Sequence, residues 1–400
     1  MFLFFVLSPP LVFLFANYSL ILEKESKMFL WISICLAYFF AVLPPTMDSY
    51  RLFIVFQDAE LSTLFQSYMT SHTDKDFFVP LLSTLFKSIG LNFFCLRFVF
   101  LLTCFLLLYA IHRDILKGNP FLSDNKANVA IAALCIILSV RCLPIAFGLR
   151  YATGQIFFLA GIYLLCKKKF VYGILSIGIS VCLHFSLYVF LLPFLFALVF
   201  SKIEIKRIFK IILPIIALSF SYIISNVTSL PFLSDFVIFM DVYLNGDWMY
   251  REVSTGTVIF NFFKFLPFLI LYVVYVYFED EKSVWNRYVF FVSVMVFFFY
   301  NYWAIRIRFA ETAALFLLVN YLLAIRSDLV WKRFLPCLLV ALLCVQICYI
   351  YAFRREVFYY KNYVYWASPV CLLTDPIYDE NWVMKNLDYQ GEWVGNEVDK

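Results

Sequence analysis

The sequence predicts an all-α membrane protein, a polytopic transmembrane helix bundle of about 12 full spans plus one short re-entrant or half-span. Three observations predict it. Hydrophobic residues make up 64% of the 400, more apolar surface than a soluble domain can use. Apolar segments of roughly 16 to 21 residues recur from one end to the other, close to the length of helix that crosses a bilayer. These segments are continuous rather than alternating, which excludes a membrane barrel and leaves helices to satisfy the backbone in lipid.

The elements follow in order. Phe2–Leu22 reads as a first span bent at Pro9-Pro10. It has no basic leader and no small-residue cleavage site, so it is expected to be retained. Phe29–Leu43 is a second span ending at Pro44-Pro45. Thr46–Asp76 is polar and is expected to hold a surface helix with Phe53, Phe56, Leu61, Leu64 and Phe65 on its apolar side. Phe77–Gly90 is apolar but short and is interrupted by Pro80 and Lys87, the pattern of a re-entrant half-span. Leu91–Ile111 spans despite Arg97, and Ala127–Phe147 spans before a helical hairpin described below. Later spans are expected over Ile211–Ser225, Thr257–Phe278, Tyr288–Trp303, Phe309–Ile325 and Phe334–Phe353. Residues 1–353 thus read as one transmembrane domain, and 354–400 as a polar, extracytoplasmic tail. His72 and His112 read as loop residues. The 11 cysteines are scattered without zinc or redox spacing.

The hairpin, Gly148–Phe190, organises the chain. Arg150 opens its first arm, Lys167, Lys168 and Lys169 form the bend, and His184 closes the second arm. At 1.5 Å per residue the arms are roughly 25 and 22 Å long, which sets Arg150 and His184 level with each other, one membrane thickness from the lysines. A lysine cluster at a tight bend belongs in the cytoplasm. Alternating the loops along the chain puts 17 lysines and arginines on that side. The short loops of the other side receive 6: Arg51, Lys75, Arg150, Arg251, Arg306 and Arg308. The net charge of +5 therefore reports topology and gives no reason to expect nucleic acid.

The six outward basic residues are exceptions to the charge rule and need a cause. Arginine carries a permanent charge on a planar fork that matches phosphate oxygens. Arg150, Arg306 and Arg308 are candidates to hold a lipid-linked diphosphate, the alternative being side chains that reach headgroup phosphate. His184 could accept a proton or pair with phosphate as a cation, or hold a neighbouring helix by a hydrogen bond. Asp48 is a candidate base or hydroxyl acceptor, or a turn residue after Pro44-Pro45. Tyr50, Arg51 and Arg251 are candidate substrate contacts. Tyr50, Tyr243, Trp248 and Tyr250 could stack on sugars or anchor the interface. No Walker loop, HExxH, G-x-S-x-G or Asp-Asp pair is present, so neither a metal nor a cofactor is expected.

Four features in order resemble the EpsG-type branch of the Wzy-like polysaccharide polymerases. They are Asp48-Ser49-Tyr50 after an early span, Arg150-Tyr151-Ala152 opening a span, Leu183-His184-Phe185-Ser186 after the lysine bend, and Arg306 to Phe309 late in the chain. Here Ser49 separates Asp48 from Tyr50, and Tyr151 stands where the family often has glutamine. The resemblance implies a multi-pass protein of the bacterial cytoplasmic membrane. It would polymerise polyprenyl-diphosphate-linked oligosaccharide repeat units on the outer face, making O-antigen or capsule, with a chain-length regulator as a candidate partner. Rival readings are a transporter or flippase for the same lipid-linked oligosaccharide, and another multispan glycosyltransferase or ligase. A transporter usually carries charge at the midplane and internal symmetry. Arg141 fits it, but the outward clustering of charge and the lack of a repeat do not.

Overall fold

The computed structural model describes residues 1–23, 27–60, 78–140, 142–226, 255–277, 282–325, 329–354, 357, 365–374, 378–389, 391, 392 and 394. The chain divides into two compact units, Met1–Tyr188 with Tyr349–Lys400, and Val189–Cys348. Both are all-α among the described residues.

The first unit opens with α1 (Phe2–Leu7) and α2 (Pro9–Tyr18), which runs into a π-helical turn at Ser19–Glu23. The break lies at Ser8, whose extended backbone lets Pro9 start a fresh helix where its missing N–H costs nothing. α3 (Met28–Ala41) stops before Pro44-Pro45. α4 (Asp48–Asp58) is the expected surface helix and buries Leu52, Phe53 and Phe56. Leu61, Leu64, Phe65 and His72 lie outside the described residues. α5 (Phe78–Ser88) has 11 residues and is roughly 16 Å long, about half of a crossing. Its Lys87 ammonium donates to the Gln57 carbonyl at the end of α4, where the helix dipole favours a cation.

α6 (Phe93–Gly118) is the longest helix, capped by the Asn92 side chain, which accepts from the Cys95 amide at 3.0 Å. A short α7 (Pro120–Asp124) leads to α8 (Lys126–Ser139) and α9 (Cys142–Gly148), with Val140 in an extended conformation after α8. Arg141 is outside the described residues. His112, expected in a loop, lies inside α6, 1% exposed, with its ring edge-on to Phe29 at 5.2 Å. The helix runs about two turns past Ile111, because Arg113 and Lys117 sit on its last turns and do not end it.

The hairpin is α10 (Arg150–Cys166) and α11 (Phe170–Leu183), joined by Lys167–Lys169 with Lys168 at φ +60. The arms meet on small residues. A Cβ on Gly161 would lie 2.5 Å from Ile177 and 3.0 Å from the Gly173 carbonyl, so only glycine allows this approach. Ser176 and Ser180 donate across the seam to the carbonyls of Phe157 and Gly154, both at 2.7 Å. The opposite side of α11 exposes Val171, Ile174 and Leu175, an apolar face suited to lipid. At the bend Lys167 pairs with Asp114 of α6 at 3.3 Å, and Tyr163 donates to the same carboxylate at 2.6 Å. Basic ends assigned to one membrane side by the charge count are thus neighbours. A 3-10 helix (Phe185–Phe190) follows His184.

The second unit holds α12 (Leu191–Val199), α13 (Arg207–Asn226), α14 (Thr255–Tyr277), α15 (Val284–Phe298), α16 (Trp303–Ala324) and most of α17 (Leu329–Ala352). Its core is aromatic, with Tyr288 edge-on to Phe316 at 4.8 Å and Phe268 stacked on Tyr272 at 5.7 Å. Two cations are buried there against aromatic faces and carbonyls. The Lys210 ammonium lies 4.3 Å over the Tyr275 ring, and Arg287 donates from Nε to the Phe200 carbonyl at 3.3 Å.

By length and composition, five helices among the described residues can cross a membrane. They are Phe93–Gly118, Lys126–Gly148, Val258–Tyr277, Ile305–Ala324 and Phe334–Ala352. Further apolar helices, among them Met28–Ala41, Phe170–Leu183 and Val284–Phe298, are shorter, with 14, 14 and 15 residues. Prolines, glycines and the break at His184 divide apolar stretches that read as continuous in the sequence.

Candidate functional site

One apolar cluster in the first unit gathers the candidates that the sequence separates by more than a hundred residues. It joins Leu52, Phe53 and Phe56 of α4, Val79 of α5, and Phe93, Leu96 and Phe100 of α6 with Leu149 and Leu183. Leu149 immediately precedes Arg150, and Leu183 immediately precedes His184. Tyr50 packs against the same cluster. The ends that present Asp48, Arg150 and His184 are therefore held by shared packing, each on a rigid element.

Arg150 is half-buried at the first residue of α10. A cation is an unusual choice there, because the dipole already makes a helix start positive. Both the helix start and the guanidinium are positive, and each favours an anion. His184 ends α11 in an extended conformation, φ −151, and its ring meets Tyr151 edge-on with centroids 5.0 Å apart. Its Nδ1 lies 2.8 Å from the Ser186 hydroxyl, which fixes the ring's orientation from within its own loop. The tyrosine at the position after Arg150 thus ties the two hairpin ends together.

Asp48 is the first residue of α4, where a carboxylate suits the dipole. It pairs with Arg51 one turn on at 3.7 Å, both side chains more than half exposed, so this pair adds little to stability. The described non-glycine residues with positive φ are Met47 (57°), Leu149 (26°) and Lys168. The first two directly precede Asp48 and Arg150. Such conformations cost on the order of 1–3 kcal/mol each and persist where the surroundings impose them, which is common at functional sites.

Arg97 was legible only as a charge tolerated within a span. It is fully buried at 0% exposure, and its two terminal nitrogens donate to the carbonyls of Leu43 and Ala146, the second at 2.9 Å. The rings of Phe93 and Phe94 lie 5.8 and 5.9 Å from its guanidinium carbon. Leu43 leads into the turn before Asp48, and Ala146 into the turn before Arg150. One side chain therefore anchors both turns. In the sequence Arg97 is flanked by Leu96 and Phe98, and its charge inside an apolar span is the signal that points to it.

Arg306 and Arg308 belong to the second unit. The sequence places them in a loop between spans, but α16 begins at Trp303 and carries both in its opening turns. Residues two apart on a helix point to nearly opposite sides, so the two do not act as one cluster. Arg306 donates to the Tyr300 carbonyl at 3.0 Å and lies 4.6 Å over that ring. Arg251, with Tyr243, Trp248 and Tyr250, lies outside the described residues. Among the described residues no three His, Cys, Asp or Glu side chains are grouped as a metal ion would require.

The family model of the EpsG family matches residues 55–365. The match takes in Arg97, Arg150, His184, Arg306 and Arg308, and starts after Asp48, Tyr50 and Arg51. No match to a curated protein or to a solved structure was found. With five helices able to cross a bilayer and a family match over most of its length, the chain is a membrane protein of the EpsG family.

Proposed function

We propose that the chain polymerises polyprenyl-diphosphate-linked oligosaccharide repeat units on the outer face of a bacterial cytoplasmic membrane. Family membership supports the broader statement, a polymerase-like role in membrane polysaccharide biosynthesis. The observation that carries the finer one is Arg150 at a helix start beside the Tyr151–His184 contact. In the reaction the bond between the anomeric carbon of the donor glycan and its diphosphate breaks, and the diphosphate keeps the electron pair. The same carbon bonds to a hydroxyl oxygen of the next lipid-linked unit, which gives up its proton. Charge develops on the diphosphate, so cations and helix-end amides held in place before the reaction lower the barrier. Arg150 supplies both, with His184 beside it. Arg306 and Arg308 remain separate candidates for diphosphate contact, and Arg251 for a substrate contact.

Asp48 is the candidate to orient the acceptor hydroxyl or take its proton, with Tyr50 and Arg51 as sugar contacts. No cofactor enters this scheme. The shorter apolar helices would complete a bundle of about 12 spans, tolerated through local bilayer thinning. A chain-length regulator is the expected protein partner. Deleting the gene tests the reading through the surface glycan: the ladder should disappear while the single-repeat product remains. Loss of all outward repeat units would indicate a flippase instead.

A further inference from the structure

The C-terminal segment reads in the sequence as a polar tail with few apolar runs. Its described residues nevertheless fold onto the first unit. Tyr365 buries its ring edge-on to Phe39 at 6.2 Å, and its hydroxyl donates to the Val357 carbonyl at 2.8 Å. Burial pushes this phenol's pKa up. Tyr38 of α3 donates to the Ala367 carbonyl at 3.0 Å, and Asn92 and Cys95 at the start of α6 both donate to the Leu372 carbonyl, at 2.6 and 2.7 Å. Two short helices, α18 (Cys371–Thr374) and α19 (Glu380–Asn386), follow, the second capped by Asp379 on the Trp382 amide at 2.9 Å. Leu372 and Tyr378 are buried against α3 and α6. Val383 and Leu387 are buried in the cluster that holds Leu149 and Leu183.

The last described contacts reach the candidate site itself. A tight turn at Asp388–Glu392 is closed by the Gly391 amide on the Asp388 carbonyl at 3.0 Å and by the Glu392 amide on the Asp388 carboxylate at 2.8 Å. The turn lays Gly391 on the start of α4, where its carbonyl accepts from the Met47 amide at 3.0 Å. Gly391 has φ +78, and a Cβ there would lie 2.6 Å from that of Tyr50 and 2.9 Å from the Met47 nitrogen. Only glycine fits this position. The turn carries Tyr389, 83% exposed, together with the carboxylates of Asp388 and Glu392. An open aromatic ring beside carboxylates suits sugars, whose C–H faces pack on rings and whose hydroxyls donate to carboxylates. The family match ends at residue 365, and this folded segment packs on the elements that deliver Asp48, Arg150 and His184.

We infer that the docked residues 365–374, 378–389, 391, 392 and 394 form a wall of the glycan site and set which lipid-linked oligosaccharide this chain accepts. The inference rests on the polymerase reading, and it assigns glycan selection to the tail and diphosphate binding to Arg150. The test uses the full-length protein in lipid nanodiscs and the lipid-linked oligosaccharide pool extracted from cells lacking this chain. Bare polyprenyl diphosphate serves as a competitor that reports the diphosphate site alone. Tyr389→Ala removes a ring that is 83% exposed. It should raise KM for the oligosaccharide about tenfold, the size of one lost aromatic contact, with kcat and inhibition by bare diphosphate unchanged.

Gly391→Val should undock the turn, seen as new protease cleavage around Asp388 with unchanged thermal unfolding, and should raise KM at least as much. Arg150→Ala should instead weaken inhibition by bare diphosphate. Unchanged KM in Tyr389→Ala, or in a Gly391→Val protein shown to be undocked, would overturn the inference while leaving the polymerase reading in place. If Gly391→Val does not fold, Tyr389→Ala alone decides. Failure of the wild-type protein to form polymer would overturn the polymerase reading, and the inference with it.

Discussion

The rings of Tyr151 and His184 meet edge-on, 5.0 Å apart, although they lie on opposite arms of a hairpin. This contact sets His184 against the residue that follows Arg150, and the Ser186 hydroxyl lies 2.8 Å from its Nδ1. A histidine fixed from two sides suits a role in which orientation matters. His184→Gln should reduce polymer formation strongly, and His184→Lys should keep part of it if the side chain acts as a cation beside diphosphate. In that case activity falls as pH rises, whereas a proton-accepting role gives the reverse. Full activity of the Gln variant would leave His184 a helix-end contact only.

Arg150 tests the diphosphate assignment more simply. Arg150→Ala should lower kcat by about a hundredfold or more, in line with losing a fixed group that stabilises developing charge. Arg150→Lys keeps the charge but not the fork, and should recover only part of the loss. Rates are to be compared at matched expression and matched thermal stability. Normal polymer from the alanine variant would return Arg150 to ordinary headgroup contact.

Arg97 should behave differently, because it acts through the turns it anchors. Arg97→Met fills similar space but strands the carbonyls of Leu43 and Ala146. It should cost about 2 kcal/mol or more of stability, read as a fall in the unfolding temperature in detergent. Activity and inhibition by bare polyprenyl diphosphate should weaken with it, because the turn before Arg150 loses its anchor. An unchanged unfolding temperature would show that the two turns hold without it.

Much of this fold was legible in the sequence, and the rest was hidden for identifiable reasons. The hairpin could be read because three lysines mark a bend between two apolar arms of similar length. The short apolar helix α5 and the helix α4 with its apolar side were legible from length and from apolar spacing. The loop reading of Arg306 and Arg308 failed because charge does not end a helix whose other faces are buried: Ile307, Phe309 and Ala310 pack inward on the same turns. His112 was misread for the same reason, with Arg113 and Asp114 beside it in the sequence. The docking of Val383 and Leu387 was not legible, because their partners Leu52, Leu149 and Leu183 lie some two to three hundred residues earlier. Isolated apolar residues in a polar stretch carry no period that reveals such a pairing.

Topology gives an independent check. In a cysteine-free background, cysteines at Asp48 and Glu392 should react with an impermeant maleimide added to intact cells from outside. Cysteines at Lys168 and Ser201 should react only after the membrane is opened. The charge asymmetry predicts this pattern, and the Lys167–Asp114 pair and the docked tail agree with it within the first unit. The opposite pattern would place Asp48, Arg150 and His184 in the cytoplasm and exclude outer-face chemistry.

The central claim is that this chain joins lipid-linked repeat units with diphosphate as the leaving group. The most direct measurement incubates purified protein in lipid with the extracted lipid-linked oligosaccharide pool and resolves the products by size, following released polyprenyl diphosphate alongside. The account predicts a ladder of glycans at whole multiples of the repeat unit, one polyprenyl diphosphate released per joining step, and loss of both in Arg150→Ala. Intact, unjoined repeat units after prolonged incubation with folded protein would contradict it.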